Sequence, residues 1–194
     1  MAALKILVIP GSLRTGSFNA RLAAAAVKEL ALLDVEVTLI SLADYPLPIY
    51  DGDLEAKSGV PANAVNLKRM IGAHHGVLIV SPEYNSSVPP LLKNAIDWVT
   101  RVRDRDESFG QVFRERAFAL AAASDGKFGG LRLLMALRQI LALGCGATVI
   151  PKQVALSFAD QAFDEMDRLR HPADASLLKA TLRQLIATAQ QTMI

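Results

Sequence analysis

Five apolar runs of strand length punctuate the chain: Ile6 to Pro10, Val35 to Leu42, Gly76 to Ser81, Ala117 to Ala123 and Ala147 to Pro151. Each interval between them can hold a helix, so the pattern is strand–helix alternation. Most of the runs are apolar throughout, as strands covered by helices on both sides must be. Helices are predicted over Asn19 to Leu32, Asn63 to Ala73, Pro90 to Arg103, Leu131 to Leu143 and Ala175 to Met193. In the last of these, Leu178, Leu182, Leu185, Ile186 and Ala189 recur at helical spacing and make one stripe that can close a sheet. The expected architecture is α/β: a five-stranded, doubly wound parallel sheet with helices on both faces, in a single domain over residues 1–194. Two stretches lack periodicity. Ala43 to Gly59, with Pro46, Pro48, Gly52 and Gly59, reads as a rim loop, and Asp104 to Glu115 as an irregular charged piece ahead of the fourth strand.

Composition narrows the partners. With 194 residues, 52% of them apolar, the chain can bury one sizeable core. Lys and Arg number 21 against 19 Asp and Glu, a formal +2, and the cations are scattered, so no nucleic acid is expected and a small-molecule partner is. No apolar run approaches the roughly 18 residues of a membrane span, and Met1 leads directly into Lys5 to Pro10 without a basic leader, so neither membrane nor secretion is expected. A single cysteine, Cys145, suits a reducing compartment, and the expected location is the cytoplasm.

The candidate chemistry lies in two loops. After the first strand comes Gly11-Ser12-Leu13-Arg14-Thr15-Gly16-Ser17-Phe18-Asn19 and then a helix. Glycines for a tight turn, hydroxyls, a guanidinium and a helix N-terminus together suit a phosphate monoester. Gly11 and Gly16 have P-loop spacing, but Ser17 and Phe18 replace its Lys and Ser/Thr, and Ser12-Leu13 excludes the dinucleotide G-x-G-x-x-G pattern. The same residues also admit a plain polar turn with Ser17 or Asn19 as N-cap. After the third strand comes Pro82-Glu83-Tyr84-Asn85-Ser86-Ser87-Val88-Pro89-Pro90. In a sheet of order 2-1-3-4-5 the first and third strands are neighbours at the switch point, so one ligand can touch both loops. Its phosphate would sit on Ser12 to Asn19 and a flat ring along the backbone of Pro82 to Asn85.

These two loops, with Leu92-Lys93-Asn94-Ala95-Ile96-Asp97-Trp98, resemble the flavodoxin-like NADPH-dependent FMN reductase family, which includes quinone, chromate and azo-dye reductases. The likeness runs through Gly126 and Gly129-Gly130 to about Pro151. Ser86 stands where relatives frequently have glycine, and Arg116-Ala117 where a Lys-Pro pair often leads into the fourth strand. The resemblance implies FMN as cofactor, with Ser12, Arg14, Ser17, Phe18 and Asn19 around the phosphate, Pro82, Glu83, Tyr84 and Asn85 along the isoalloxazine, and Ser124 with Gly126 on its other side. It implies NADPH or NADH as donor, a small electron acceptor, and a homodimer or homotetramer with FMN near a subunit boundary.

Hydride transfer through a flavin requires no acid–base triad, so no side chain is assigned as catalytic. His74 and His75 are adjacent, face apart and lack metal-ligand spacing; they read as surface or capping residues, and no metal is assigned. Cys145 reads as a small buried residue. Glu83 is equally a ligand contact or a plain loop carboxylate, and Tyr84 equally a contact or core packing. On the helix from Pro90, the stripe Asn94, Asp97, Trp98 and Arg101 is open between a subunit face and packing within the chain. The nearly all-apolar helix from Leu131 points towards a subunit contact. The activity expected is an FMN-dependent NAD(P)H oxidoreductase acting on a quinone, azo compound or metal oxyanion. The alternatives are a flavin reductase that releases reduced FMN and a non-catalytic flavodoxin-like electron carrier, the latter disfavoured because carriers are typically acidic.

Overall fold

A computed structural model describes residues 3–104 and 106–192. Its strands are β1 (Leu4–Pro10), β2 (Val35–Leu39), β3 (Gly76–Val80), β4 (Ala117–Ala123) and β5 (Thr148–Leu156). The helices are α1 (Phe18–Leu30), α2 (Gly52–Ser58), α3 (Ala62–Gly72), α4 (Pro90–Arg101), α5 (Gln111–Arg114), α6 (Leu131–Gln139) and α7 (Pro172–Gln191). All neighbouring strands are parallel, in the order β2-β1-β3-β4-β5, the doubly wound order expected from the sequence.

The two-residue period of a strand sorts the side chains into two cores. Ile6, Val8, Leu78 and Val80 face α1 and α7, whereas Leu7, Ile9, Val77 and Ile79 face α3, α4 and α6. β4 is asymmetric: Ala117, Ala119, Ala121 and Ala123 face α1 and α7, and Phe118, Leu120 and Ala122 face the other layer. Small residues on one side let helices approach the sheet closely, and bulky ones fill the other. α7 closes the first core with Leu178, Leu182 and Leu185, each fully buried leucine stabilising by about 2 kcal/mol. Gly76 lies close beneath it, where a Cβ would meet Ile6 Cδ1 at 2.8 Å, Leu185 Cδ1 at 3.2 Å and Ala189 Cβ at 3.3 Å.

Several element bounds differ from expectation for local reasons. β2 stops at Leu39 because Ser41 Oγ accepts the Ala43 N–H at 3.2 Å and starts a 3₁₀ turn over Leu42–Asp44. β5 runs past Pro151 to Leu156; β5 is an edge strand and its register against β4 slips between Phe118 and Leu120, so the proline needs no ladder partner. α6 ends at Gln139 and continues as a π turn, Ile140–Gly144, where Cys145 N–H donates to Ile140 O at 3.0 Å. The position Met193, expected to end the last helix, lies outside the described residues.

The expected rim loop carries a short helix, α2, whose residues are all solvent-accessible; Asp51 caps it. The segment before it is strapped to α4. Pro48 O accepts from Trp98 Nε1 (2.7 Å) and Asn94 Nδ2 (2.9 Å), and Asn94 Oδ1 accepts from Tyr50 N–H at 2.8 Å. Trp98 is fully buried, and Arg101 pairs with Glu55 of α2. The stripe Asn94, Trp98, Arg101 therefore packs within the chain. Cys145 is buried too, and desolvation, aided by the Asp97 charge, pushes its thiol up to about 11. The two histidines are structural, and the surface reading fails for His74. That residue is buried with Nδ1 2.7 Å from Met70 O, and His75 Nδ1 accepts the Lys5 N–H at 2.9 Å.

Between β5 and α7, Phe163 and Leu169 pair as a small hairpin laid on α1. Asp164 accepts from Met166 N (2.9 Å), Arg168 N (2.8 Å) and Arg168 Nε (2.8 Å), while Arg21 Nε donates to Asp167 at 2.5 Å. The Arg168 backbone and guanidinium lower the Asp164 carboxyl to about 2. A depressed folded value contributes stability above the ordinary carboxylate range and loses it as pH falls towards 2. Amide hydrogen exchange in residues 163–169 is expected to accelerate as pH is lowered from 4 towards 2, after correction for intrinsic rates, and Asp164→Asn is expected to show the faster exchange already at pH 7. Equal protection in both proteins at pH 7 would refute the assignment.

Candidate functional site

In a parallel sheet all strands end on the same side, and the loops following β1, β3 and β4 meet there. The β1 loop is pinned to β3 by backbone alone: Gly11 N–H donates to Val80 O at 2.8 Å, and a Cβ on Gly11 would lie 2.6 Å from Ser81 Oγ. Gly16 then turns with φ +67°, and Ser17 caps α1, its Oγ accepting the Asn19 N–H at 3.2 Å. The N-cap reading of Ser17 holds, and its hydroxyl hydrogen makes no bond among the described residues. Asn19 is buried. Its Nδ2 donates to Ala123 O at 2.9 Å and its Oδ1 accepts the Ala123 N–H at 2.8 Å, so this amide clamps α1 to the end of β4. The Asn19 side chain thus has a positioning role, with one N–H and the carbonyl oxygen engaged by Ala123.

What the clamp leaves is an anion cradle. Among the described residues, the N–H groups of Ser12, Leu13, Thr15, Gly16 and Phe18 have no partner in the protein, and Ser12 Oγ turns back to accept the Arg14 N–H at 3.3 Å. Arg14 is exposed, has no carboxylate within ion-pair distance among the described residues, and lies 5.7 Å from the centre of the Phe18 ring. Free amides, a helix N-terminus and an unpaired guanidinium fit a phosphate group.

The β3 loop is a tight turn. Tyr84 and Ser87 exchange both backbone bonds (3.0 and 2.9 Å), and Asn85 and Ser86 have φ +49° and +65°. That left-handed pair explains why glycine suits position 86. The Glu83, Asn85 and Ser86 N–H groups have no partner among the described residues, so the loop can present backbone donors to the polar edge of a ring. Tyr84 is 49% exposed, which excludes core packing. The Glu83 carboxylate turns away from the loop: Oε2 accepts the N–H groups of Arg132 (3.1 Å) and Leu133 (3.2 Å), and Oε1 pairs with Arg132 Nη2. It caps α6, whose own N-cap, Gly130, has no side chain. Glu83 therefore positions the loop through its carboxylate.

The β4 loop completes the edge. Ser124 N–H donates to Leu156 O (3.0 Å), Ser124 O accepts from Ala159 N–H (3.0 Å), and Gly126 N–H donates to Ser124 Oγ (3.2 Å). Gly129 and Gly130 are both at positive φ, and a Cβ on them would lie 2.6 Å from the Ala155 carbonyl carbon and from Ala122 Cβ, respectively. The sequence offered no signal for Ala123 or Arg132 as partners of the site. They lie 104 and 49 residues from Asn19 and Glu83, and nothing in their type marks the pairing.

An anion cradle after the first strand beside a tight turn after the third gives this doubly wound α/β protein two loops of the kind that suit a phosphorylated, planar ligand. The comparisons with known proteins specify it. The model of the family described as NADPH-dependent FMN reductase matches residues 4–161, and the chain belongs to that family. It is therefore an oxidoreductase of the flavin-dependent kind, with FMN as cofactor and a nicotinamide nucleotide as donor. A quinone reductase of Escherichia coli K12 is 40% identical over 139 residues, covering 71% of this chain and 69% of the relative. An NAD(P)H-dependent FMN reductase of Pseudomonas aeruginosa is 35% identical over 183 residues, 94% and 93% of the two chains. Among solved structures, a flavoenzyme NAD(P)H:(acceptor) oxidoreductase from Paracoccus denitrificans superposes with a TM-score of 0.79 at 27% identity, covering 97% of this chain and 98% of that one. No helix among the described residues is long and apolar enough to cross a membrane.

Because the Asn19 clamp joins protein to protein, its loss must be felt without any ligand. Asn19→Ala is expected to destabilise the cofactor-free protein by about 2–4 kcal/mol, lowering the melting temperature by roughly 5–12 °C. A melting temperature within about 2 °C of the parent would return Asn19 to a purely ligand-binding role.

Proposed function

We propose that this chain is an FMN-dependent NAD(P)H oxidoreductase that hands reducing equivalents to a small acceptor: a quinone, an azo compound or a metal oxyanion. The observation that carries this reading is that the N–H groups of Ser12, Leu13, Thr15, Gly16 and Phe18 have no partner among the described residues, at the same end of the sheet as the free amides of Glu83, Asn85 and Ser86. When bound, FMN supplies a ring that accepts a hydride and passes the electrons on. The protein holds and orients it. Ser12, Arg14, Ser17 and Phe18 receive the phosphate; the backbone of Pro82 to Asn85 lies along the ring, with Tyr84 covering it; Ser124 and Gly126 approach from the β4 side. Asn19 and Glu83 act through the segments they fix. A quinone is the first acceptor to test, since the Escherichia coli relative carries that name. The homodimer or homotetramer belongs to the same proposal, supported by Met135 and Leu143, which are 65% and 80% exposed on α6 and the π turn after it.

Purified protein given FMN is expected to retain it through gel filtration, to bleach under anaerobic NADPH or NADH, and to recover its colour with a quinone. Failure to retain FMN would remove the proposal; bleaching with loss of the flavin to the filtrate would favour a reductase that releases reduced FMN. Arg14→Ala is expected to weaken FMN binding by about 1.5–3 kcal/mol, roughly ten- to 150-fold in Kd. An unchanged Kd, measured by fluorescence quenching of free FMN, would take Arg14 out of the phosphate site.

A further inference from the structure

The segment leading into α6 carries more cationic and aromatic surface than capping the helix uses. Lys127 Nζ lies 5.0 Å and Arg132 Cζ 5.5 Å from the centre of the Phe128 ring. Phe128 is 51% exposed, although burying an aromatic ring is strongly favourable. Lys127 has no ion-pair or hydrogen-bond partner for Nζ among the described residues, and Arg132 is held by Glu83 through Nη2, with its side chain 54% exposed. Asp125, two residues before Lys127, accepts from Ser124 Oγ at 3.4 Å and pairs with neither cation. The backbone beneath is fixed: Ser157 Oγ donates to Lys127 O at 2.8 Å, and Leu131 N–H donates to Phe128 O at 2.9 Å. Through Arg132 and Glu83 this platform is joined directly to the turn that is proposed to carry the ring.

A half-exposed aromatic ring with two cations over it, one of them unpaired among the described residues, suits a planar ring that bears a doubly charged anion. On a nicotinamide donor that combination occurs at one end only, the adenosine 2′-phosphate of NADPH, and NADH lacks the phosphate. We infer that Lys127, Phe128 and Arg132 form the subsite that reads the adenosine 2′-phosphate, with adenine against Phe128 and the phosphate against Lys127 and Arg132. The inference rests on the functional reading above only for the direction in which the donor enters. Lys127 selects between the two donors, Arg132 adds charge while bracing Glu83, and Phe128 binds either adenine.

The test is calorimetric titration of the FMN-loaded protein with 2′,5′-ADP and with 5′-AMP, repeated on Lys127→Gln and Phe128→Leu; both side chains are exposed, and folding is checked by circular dichroism. The parent is expected to bind 2′,5′-ADP about tenfold or more tightly than 5′-AMP. Lys127→Gln should reduce that preference about tenfold, and the ratio of KM for NADH to KM for NADPH should fall with it. Phe128→Leu should weaken both nucleotides alike, by about tenfold. Equal affinities in the parent, or a preference untouched by Lys127→Gln, would overturn the inference. So would a Lys127→Gln variant whose only change is a raised KM for 1,4-naphthoquinone-2-sulfonate, which would assign the platform to an anionic acceptor. If the protein fails to retain FMN, the same titrations on the cofactor-free protein still decide the subsite, so the two readings fail separately.

Discussion

The reciprocal pair of hydrogen bonds between Asn19 and the Ala123 backbone sets the geometry on which the site depends. In this sheet β1 and β4 are not neighbours, since β3 lies between them. A side chain from the first turn of α1 that bonds the end of β4 must therefore reach over the end of β3, and the β1 loop has to arch with it. The arch leaves the N–H groups of Ser12, Leu13, Thr15, Gly16 and Phe18 without partners among the described residues. Gly11, pressed against Ser81, is the hinge that lets the chain leave β1 so closely. An amide suits this task because it donates and accepts at once, satisfying both backbone groups at a buried strand end.

That reach is possible because of the alanines of β4. With Ala117, Ala119, Ala121 and Ala123 towards α1 and α7, the helices sit close to the sheet, and bulk is transferred to Phe118 and Leu120 on the opposite face. The opposite layer uses its space for a different purpose, fixing the segment before α2 on α4 through Pro48, Asn94 and Trp98. The two helical layers thus divide the labour: one places the β1 loop, and the other, through α6 and Glu83, places the β3 loop.

Periodicity made the sheet legible, because each central strand is buried on both faces and its apolar run shows this without ambiguity. The apolar run at β5 ends at Pro151 while the strand continues to Leu156, because an edge strand with a register slip accommodates the proline and the polar Lys152 and Gln153 that break the run. α2 was invisible since it buries no residue and so has no pattern to read. At the site, residue types point to two loops that the fold brings to one edge of the sheet, but not to what their side chains bond. Asn19 and Glu83 look like ligand contacts because polar side chains in a glycine-rich or strand-end loop usually are. Their actual partners, Ala123 and the α6 amides, are brought near only by the tertiary fold. Trp98 and Arg101 have interface composition for a similar reason, since they cover a segment of their own chain with the chemistry that otherwise covers a neighbour.

Among the described residues, the bonds that hold the β1 and β3 loops join protein to protein: Gly11 to Val80, Asn19 to Ala123, Tyr84 to Ser87, Glu83 to α6. A loop held by bonds within the protein has little conformational entropy left to lose, so the energy of any contact it makes goes into affinity instead of ordering.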